Sequence, residues 1–277
     1  MKLIISNTLT GLGNRLENIV SLYRLSKIYK CNFGLFWHNN DWVGRSFKEL
    51  FSNFHEHVLH QLPILTDRNS YANCLIFNPG KTISDHKHRL EHNSIIVVNS
   101  DDSVFIDETE NSYYLYNWAH LIKPSNKVIC YSNQVLLNHN LEDVPAIHIR
   151  VGVGGRTEQK DLNLRNPPTI EEYDVYIDNN FSDIFFLATD SPELKIRYQN
   201  KYKDRAIVLP TTLDYKDNYF CIHSLAEMYI MSRCKEVVGS ESSFNRFAAL
   251  WGRKKRVILH SNQEPRIFLP EDYLDFQ

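Results

Sequence analysis

Between residues 145 and 260, short unbroken apolar runs alternate with amphipathic segments. The runs are "PAIHIR" (145–150), "IFFLAT" (184–189), "AIVLP" (206–210), "EVVGS" (236–240) and "RVILH" (256–260). Between them lie "TIEEYDVYIDNN" (169–180), "SPELKIRYQNKY" (191–202), "IHSLAEMYIMSRC" (222–234) and "SSFNRFAALWG" (242–252), each spaced as a helix. A strand that is apolar throughout must be covered on both faces, and strands separated by helices run parallel. This predicts a doubly wound α/β domain from about 145 to 260. In such sheets ligands sit beyond the carboxyl ends of the strands.

The first half is less regular. Leu3–Ser6, Phe33–Trp37 and Ile95–Asn99 read as strands, and a helix is expected from about Asn14 to Tyr29. On that helix Leu16, Ile19, Val20 and Tyr23 share one face. Residues 38–92 show poor periodicity. The 277 residues suffice for two domains of moderate size, divided at the polar connection near 141–144: 1–142 and 143–277, with the last helix able to pack back on the first.

Composition excludes several function classes. A net charge of −2 gives no basic field for nucleic acid. No run approaches the ~20 apolar residues of a membrane span, and the N-terminus is too poor in apolar residues for a signal peptide. The expectation is a cytoplasmic protein. The five cysteines are scattered without a CxxC, as fits buried free thiols rather than a metal or redox pair.

Three strand ends carry the candidate chemistry. His148 and Arg150 alternate along one strand and so share a face. An arginine at a strand end is suited to hold a phosphate bidentately, and "VGVGGR" after it, with Gly152, supplies flexible amides. Asp190 ends "FFLATD", placed either for a ribose or base edge or as part of a helix cap before Pro192. "GSESSF" opens a helix with hydroxyls, where free amides and the helix dipole favour an anion; Ser242 and Ser243 would add hydroxyl bonds. Glu158 and Asp161, in "RTEQKDL", are the carboxylates near enough in sequence to take a proton from an acceptor hydroxyl.

Other patterns fail on chemistry. "HRLEH" (88–92) matches a zinc-peptidase spacing and keeps a zinc hydrolase as a third class, but the strand-like "NSIIVVNS" follows at once and leaves little helix to bring both His onto one face. The opening loop "TGLGNRLEN" looks like a dinucleotide turn. A Rossmann fingerprint needs a small residue where Leu16 stands and an acid after the second strand, where "FWHN" has none. No GK[ST] follows for a P-loop. No DxD triplet is present, so no metal site is expected, and arginine and helix N-termini would neutralise a diphosphate.

Taken in order, "GLGNRL", "HIR", "FLATDSPEL" and "LAEMYIMSRCKEVVGSESSF" resemble the fucosyltransferase superfamily of nodulation chitooligosaccharide fucosyltransferases, α1,6-fucosyltransferases and protein O-fucosyltransferases. The resemblance is patchy over 8–37 and nearly continuous over 145–252. It implies a GT-B fold, two Rossmann-like domains facing across a cleft, and inverting, metal-independent transfer of fucose from GDP-fucose to a glycan or glycoprotein acceptor. Carried over by position, Arg150 would bind the diphosphate, Asp190 the nucleoside, and Ser242, Ser243 and Phe244 the phosphate and base region. Glu158 would be the base, with Asp161 as second choice. Gly11, Gly13, Asn14 and Arg15 would face the donor from the first domain, and His148 would join Arg150 and Gly152. Val151 and "VGVGGR" depart from the family pattern near the donor sugar, which leaves a UDP-sugar such as UDP-xylose as the alternative donor. A non-catalytic sugar-nucleotide or glycan-binding protein is the alternative outside enzymes.

Overall fold

The computed structural model describes residues 3–40, 43–60, 74–77, 95–98, 112–151, 166–209 and 220–273. Contacts divide the chain into two compact units, 1–125 and 126–274. The sequence expectation draws the line at 142. The difference is the helix Asn126–Leu136, which packs on the helix Phe220–Arg233 of the second unit.

In the first unit, β1 (Leu3–Ser6), β2 (Asn32–Phe36), β3 (Val58–Leu59), β4 (Cys74–Phe77) and β5 (Ile95–Val98) form one sheet in the order β3-β2-β1-β5-β4. Every pairing in it is parallel. Helix α1 (Leu12–Ile28) packs on β1 and β2. It buries Leu16, Ile19, Val20, Leu22 and Leu25. Each such side chain is worth roughly 1.5–3 kcal/mol of apolar burial. The short helix α2 (Phe47–Leu50) follows β2 and is closed by a capping box between Ser46 and Glu49. The chain moves outward from β1 to β2 and β3, then returns on the other side of β1. The loop after β1 therefore lies at the switch point of this sheet.

The second unit opens with α3 (Asn126–Leu136). Its sheet contains β6 (Ala146–Ile149), β7 (Phe185–Thr189), β8 (Ala206–Val208), β9 (Glu236–Gly239), β10 (Lys255–Ile258) and β11 (Arg266–Phe268), in the order β11-β10-β9-β6-β7-β8. All pairings are parallel except β10 with β11. Its helices are α4 (Ile170–Asn180), α5 (Pro192–Tyr202), α6 (Phe220–Arg233) and α7 (Ser243–Gly252). Strands and helices expected from 145 to 260 are all present. The antiparallel edge strand β11 adds to them.

Alternation along β6 sorts its side chains. Ile147 and Ile149 enter a core with Tyr173 and Ile177 of α4 and Leu194 and Tyr198 of α5. His148 points to the other face. The chain runs β6, β7, β8 and then crosses to β9 on the far side of β6, so the switch point lies between β6 and β9. Among the described residues no helix is long and apolar enough to cross a membrane.

Candidate active site at the strand ends of the second sheet

Three strand exits meet at this switch point. His148 is the third residue of β6, and Arg150 follows the strand directly. The His148 ring stacks on Phe244, in the first turn of α7, with centroids 5.0 Å apart and planes 28° from parallel. Its Nδ1 is buried and has no hydrogen-bond partner among the described residues. Burial, then the charge of Arg150, push its pKa down to about 3; Glu227 pulls the other way, and Arg256 adds the smallest downward push. At neutral pH the imidazole is therefore uncharged.

Asp190, at the exit of β7, accepts a hydrogen bond from the Val151 amide at 2.8 Å. It thereby links the ends of β6 and β7. Helix capping falls to its neighbour: Ser191 is the N-cap of α5, its Oγ accepting from the Leu194 amide at 3.2 Å, with Pro192 as the first helical residue. The sequence left Asp190 between a ligand role and a cap, and the cap belongs to Ser191.

Ser242 is the N-cap of α7, its Oγ accepting from the Phe244 amide at 3.3 Å. Ser243 and Phe244 are half-buried in the first turn. Before them, the Ser240 amide donates to the buried Tyr173 hydroxyl at 3.1 Å. Burial pushes that phenol up to about 12, so it stays neutral. Gly239 is required by contact: a Cβ there would lie 2.6 Å from both the His148 carbonyl and Asn245 Nδ2.

The structure thus brings His148, Arg150, Asp190, Ser242, Ser243 and Phe244 to one end of one sheet. Gly152, Glu158 and Asp161 lie outside the described residues, as does "HRLEH".

In the first unit, Gly11 is the N-cap of α1, which has no side-chain cap; Gly13 and Asn14 sit in the first turn. A Cβ on Gly11 would meet open space. Arg15 is 1% exposed and, among the described residues, donates hydrogen bonds to the Thr10, Leu9 and His38 carbonyls and to Asn40 Oδ1. Its guanidinium also lies over the Trp37 ring, 4.9 Å from the centroid. The sequence points this side chain toward a donor. Among the described residues, its partners lie on the loop after β1 and the loop after β2, which it ties together.

Two groups escaped the sequence reading. Arg256 on β10 is 2% exposed and bonds Asn245 Oδ1 and Glu241 Oε1. Beneath α5, Lys195 Nζ lies 2.6 Å from Glu227 Oε1 and 2.7 Å from His223 Nε2, and Tyr131 of α3 meets His223 Nδ1 at 3.2 Å. The one local signal was His223 and Glu227 four apart on an otherwise apolar helix.

No family model and no curated protein matches the sequence. Solved structures do match. Fucosyltransferase NodZ from Bradyrhizobium aligns over 98% of this chain and 99% of its own, with 13% identity and a TM-score of 0.64. The fold is that of the GT-B fucosyltransferases. Arabidopsis thaliana FUT1, solved with GDP, aligns over 95% of this chain and 71% of its own, with 15% identity and a TM-score of 0.61. POFUT1, solved with GDP-fucose, aligns over 91% of this chain and 95% of its own, with 11% identity and a TM-score of 0.53. At these identities the likeness is one of fold.

Proposed function

We propose that this chain is a glycosyltransferase that moves fucose from GDP-fucose to a hydroxyl of a glycan or glycoprotein. The observation that carries the reading is the neutral, buried His148 stacked on the first turn of α7, with Arg150 beside it at the switch point. Cation, helix N-terminus and aromatic face together suit a nucleoside diphosphate. The same fold is found in proteins solved with GDP and GDP-fucose, which supports this choice of donor.

In this reading the acceptor oxygen attacks the anomeric carbon from the face opposite the nucleotide. The new C–O bond forms as the bond to the diphosphate breaks, and the configuration inverts. Arg150 and the α7 amides stabilise the negative charge gathering on the departing diphosphate, a task they perform without a metal. Glu158, or Asp161 in its place, takes the hydroxyl proton. Asp190 and Phe244 hold the nucleoside.

The test is a thermal-shift panel of GDP- and UDP-sugars on the whole chain, followed by assay of released nucleoside diphosphate with and without glycan acceptors. GDP-fucose should raise Tm by mass action and release GDP. A larger shift with UDP-xylose would reassign the donor. Binding without release under every acceptor would make the chain a binding module, and no shift with any nucleotide would overturn the reading.

A further inference from the structure

An acid occupies an unexpected place in this site. Glu241 stands immediately before the N-cap Ser242, where a bound phosphate would gather its charge. An unneutralised carboxylate there would repel the ligand. Its Oε1 lies 3.2 Å from Arg256 and 3.8 Å from Arg246. Burial works against its ionisation, but Arg256 and then Arg246 outweigh it and hold the carboxyl below its ordinary range.

Arg256 does more than pair with this acid. Its Nε and one terminal nitrogen reach Asn245 Oδ1 at 3.2 and 3.0 Å, and the same terminal nitrogen approaches the Ser242 carbonyl at 3.5 Å. Asn245 in turn donates to the Ser240 carbonyl at 2.7 Å. With Tyr173 gripping the Ser240 amide from the other side, residues 240–242 are held from two directions. An independent sign that this turn faces a ligand is His148: it is 5% exposed, it lies against Phe244 of the same turn, and its Nδ1 has no partner among the described residues.

We propose that Arg256 is a positioning residue for the donor phosphates, fixing the Glu241–Ser242 turn and cancelling the Glu241 charge at the N-terminus of α7. The inference rests on the nucleotide reading above. It predicts that the Glu241–Arg256 pair tunes affinity for the diphosphate and leaves affinity for the nucleoside alone.

The experiment titrates the full chain with GDP and with guanosine, or with UDP and uridine if the wild type prefers them. Variants are Arg256→Met, Arg256→Lys, Glu241→Gln and the double variant Glu241→Gln/Arg256→Met. Arg256→Met should weaken diphosphate binding several-fold and leave nucleoside binding unchanged, because Arg246 at 3.8 Å offsets only part of the Glu241 charge left behind. Adding Glu241→Gln should restore most of the loss, and Glu241→Gln alone should tighten diphosphate binding. Arg256→Lys, which keeps the charge without the fork, should fall between wild type and Arg256→Met. Equal losses for diphosphate and nucleoside would reveal a merely structural role and overturn the proposal. If Arg256→Met does not fold, Glu241→Gln decides, and an unchanged diphosphate affinity rejects the idea. A wild type that binds no nucleotide would bring down the site reading and this inference together; a wild type that binds, with indifferent variants, brings down the inference alone.

Discussion

The His148 imidazole lies 5.0 Å from the Phe244 ring and nearly parallel to it, so the exit of β6 and the first turn of α7 are joined through two rings. The contact places a titratable group in a dry setting beside two arginines. A histidine that stays neutral when folded yet protonates when unfolded loses stability as pH falls.

Folded His148 titrates near 3, against about 6.5 in the unfolded chain. Its contribution is intact above pH 6.5 and is lost progressively as pH falls toward 3. From pH 7 to pH 5 the loss is about 2 kcal/mol. Urea denaturation at both pH values should show a decline smaller by roughly that amount in His148→Gln than in wild type. Parallel declines would mean that the imidazole is not held neutral.

Arg150 is the cation expected to meet the diphosphate. Arg150→Ala should lower transfer by about a hundredfold or more, the usual consequence of removing a preorganised stabiliser of developing charge. Its side chain is not part of the buried core, so Tm should change little. Arg150→Lys should recover only part of the rate, because an ammonium lacks the bidentate fork. Near-normal transfer by Arg150→Ala would remove it from the mechanism.

Arg15 ties the loop after β1 to the loop after β2. Arg15→Ala would strip hydrogen bonds from the Leu9, Thr10 and His38 carbonyls. The expected cost is roughly 3 kcal/mol or more, since bonds from a charged donor and the desolvated acceptors left behind both count. Arg15→Lys should be nearly as harmful, one ammonium being unable to span acceptors from two loops. Chemical denaturation of the three proteins decides it; a loss under 1 kcal/mol for Arg15→Ala would mean that the clamp does not bear on stability.

What could be read from the chain follows from which forces are local. Strands β6, β7 and β9 are buried on both faces, so their apolar runs announce them. Strand β3 has two residues, too few to display a period. The exposed edge strand β11, "RIF", carries no apolar run. That His148, Asp190 and Ser242 stand at one end of one sheet was legible because the apolar runs mark where its strands end. The acceptors of Arg15 were not legible, since nothing local records where a guanidinium finds them. Arg256 opens the expected strand run "RVILH", and nothing local marks it as paired. Its partner Glu241 is fifteen residues away, and Lys195 is thirty-two from Glu227.

That last pair gives a test of the second unit's interior. Lys195 and Glu227 are 3% and 4% exposed and 2.6 Å apart. Burial would raise the Glu227 carboxyl, but Lys195 and then His223 outweigh it and bring it down to about 2. Lys195→Met would leave that charge buried with His223 as its one remaining partner in the cluster. Breaking one side of a buried pair typically costs about 3–5 kcal/mol, whereas replacing both sides with apolar groups is often close to neutral. Urea denaturation should therefore show Lys195→Met strongly destabilised and Lys195→Met/Glu227→Leu nearer to wild type. The pair would be stabilising little if Lys195→Met lost less than about 1 kcal/mol. If instead the double variant were as unstable as the sum of the singles, the cost would lie in packing among α3, α5 and α6 rather than in the unpaired charge.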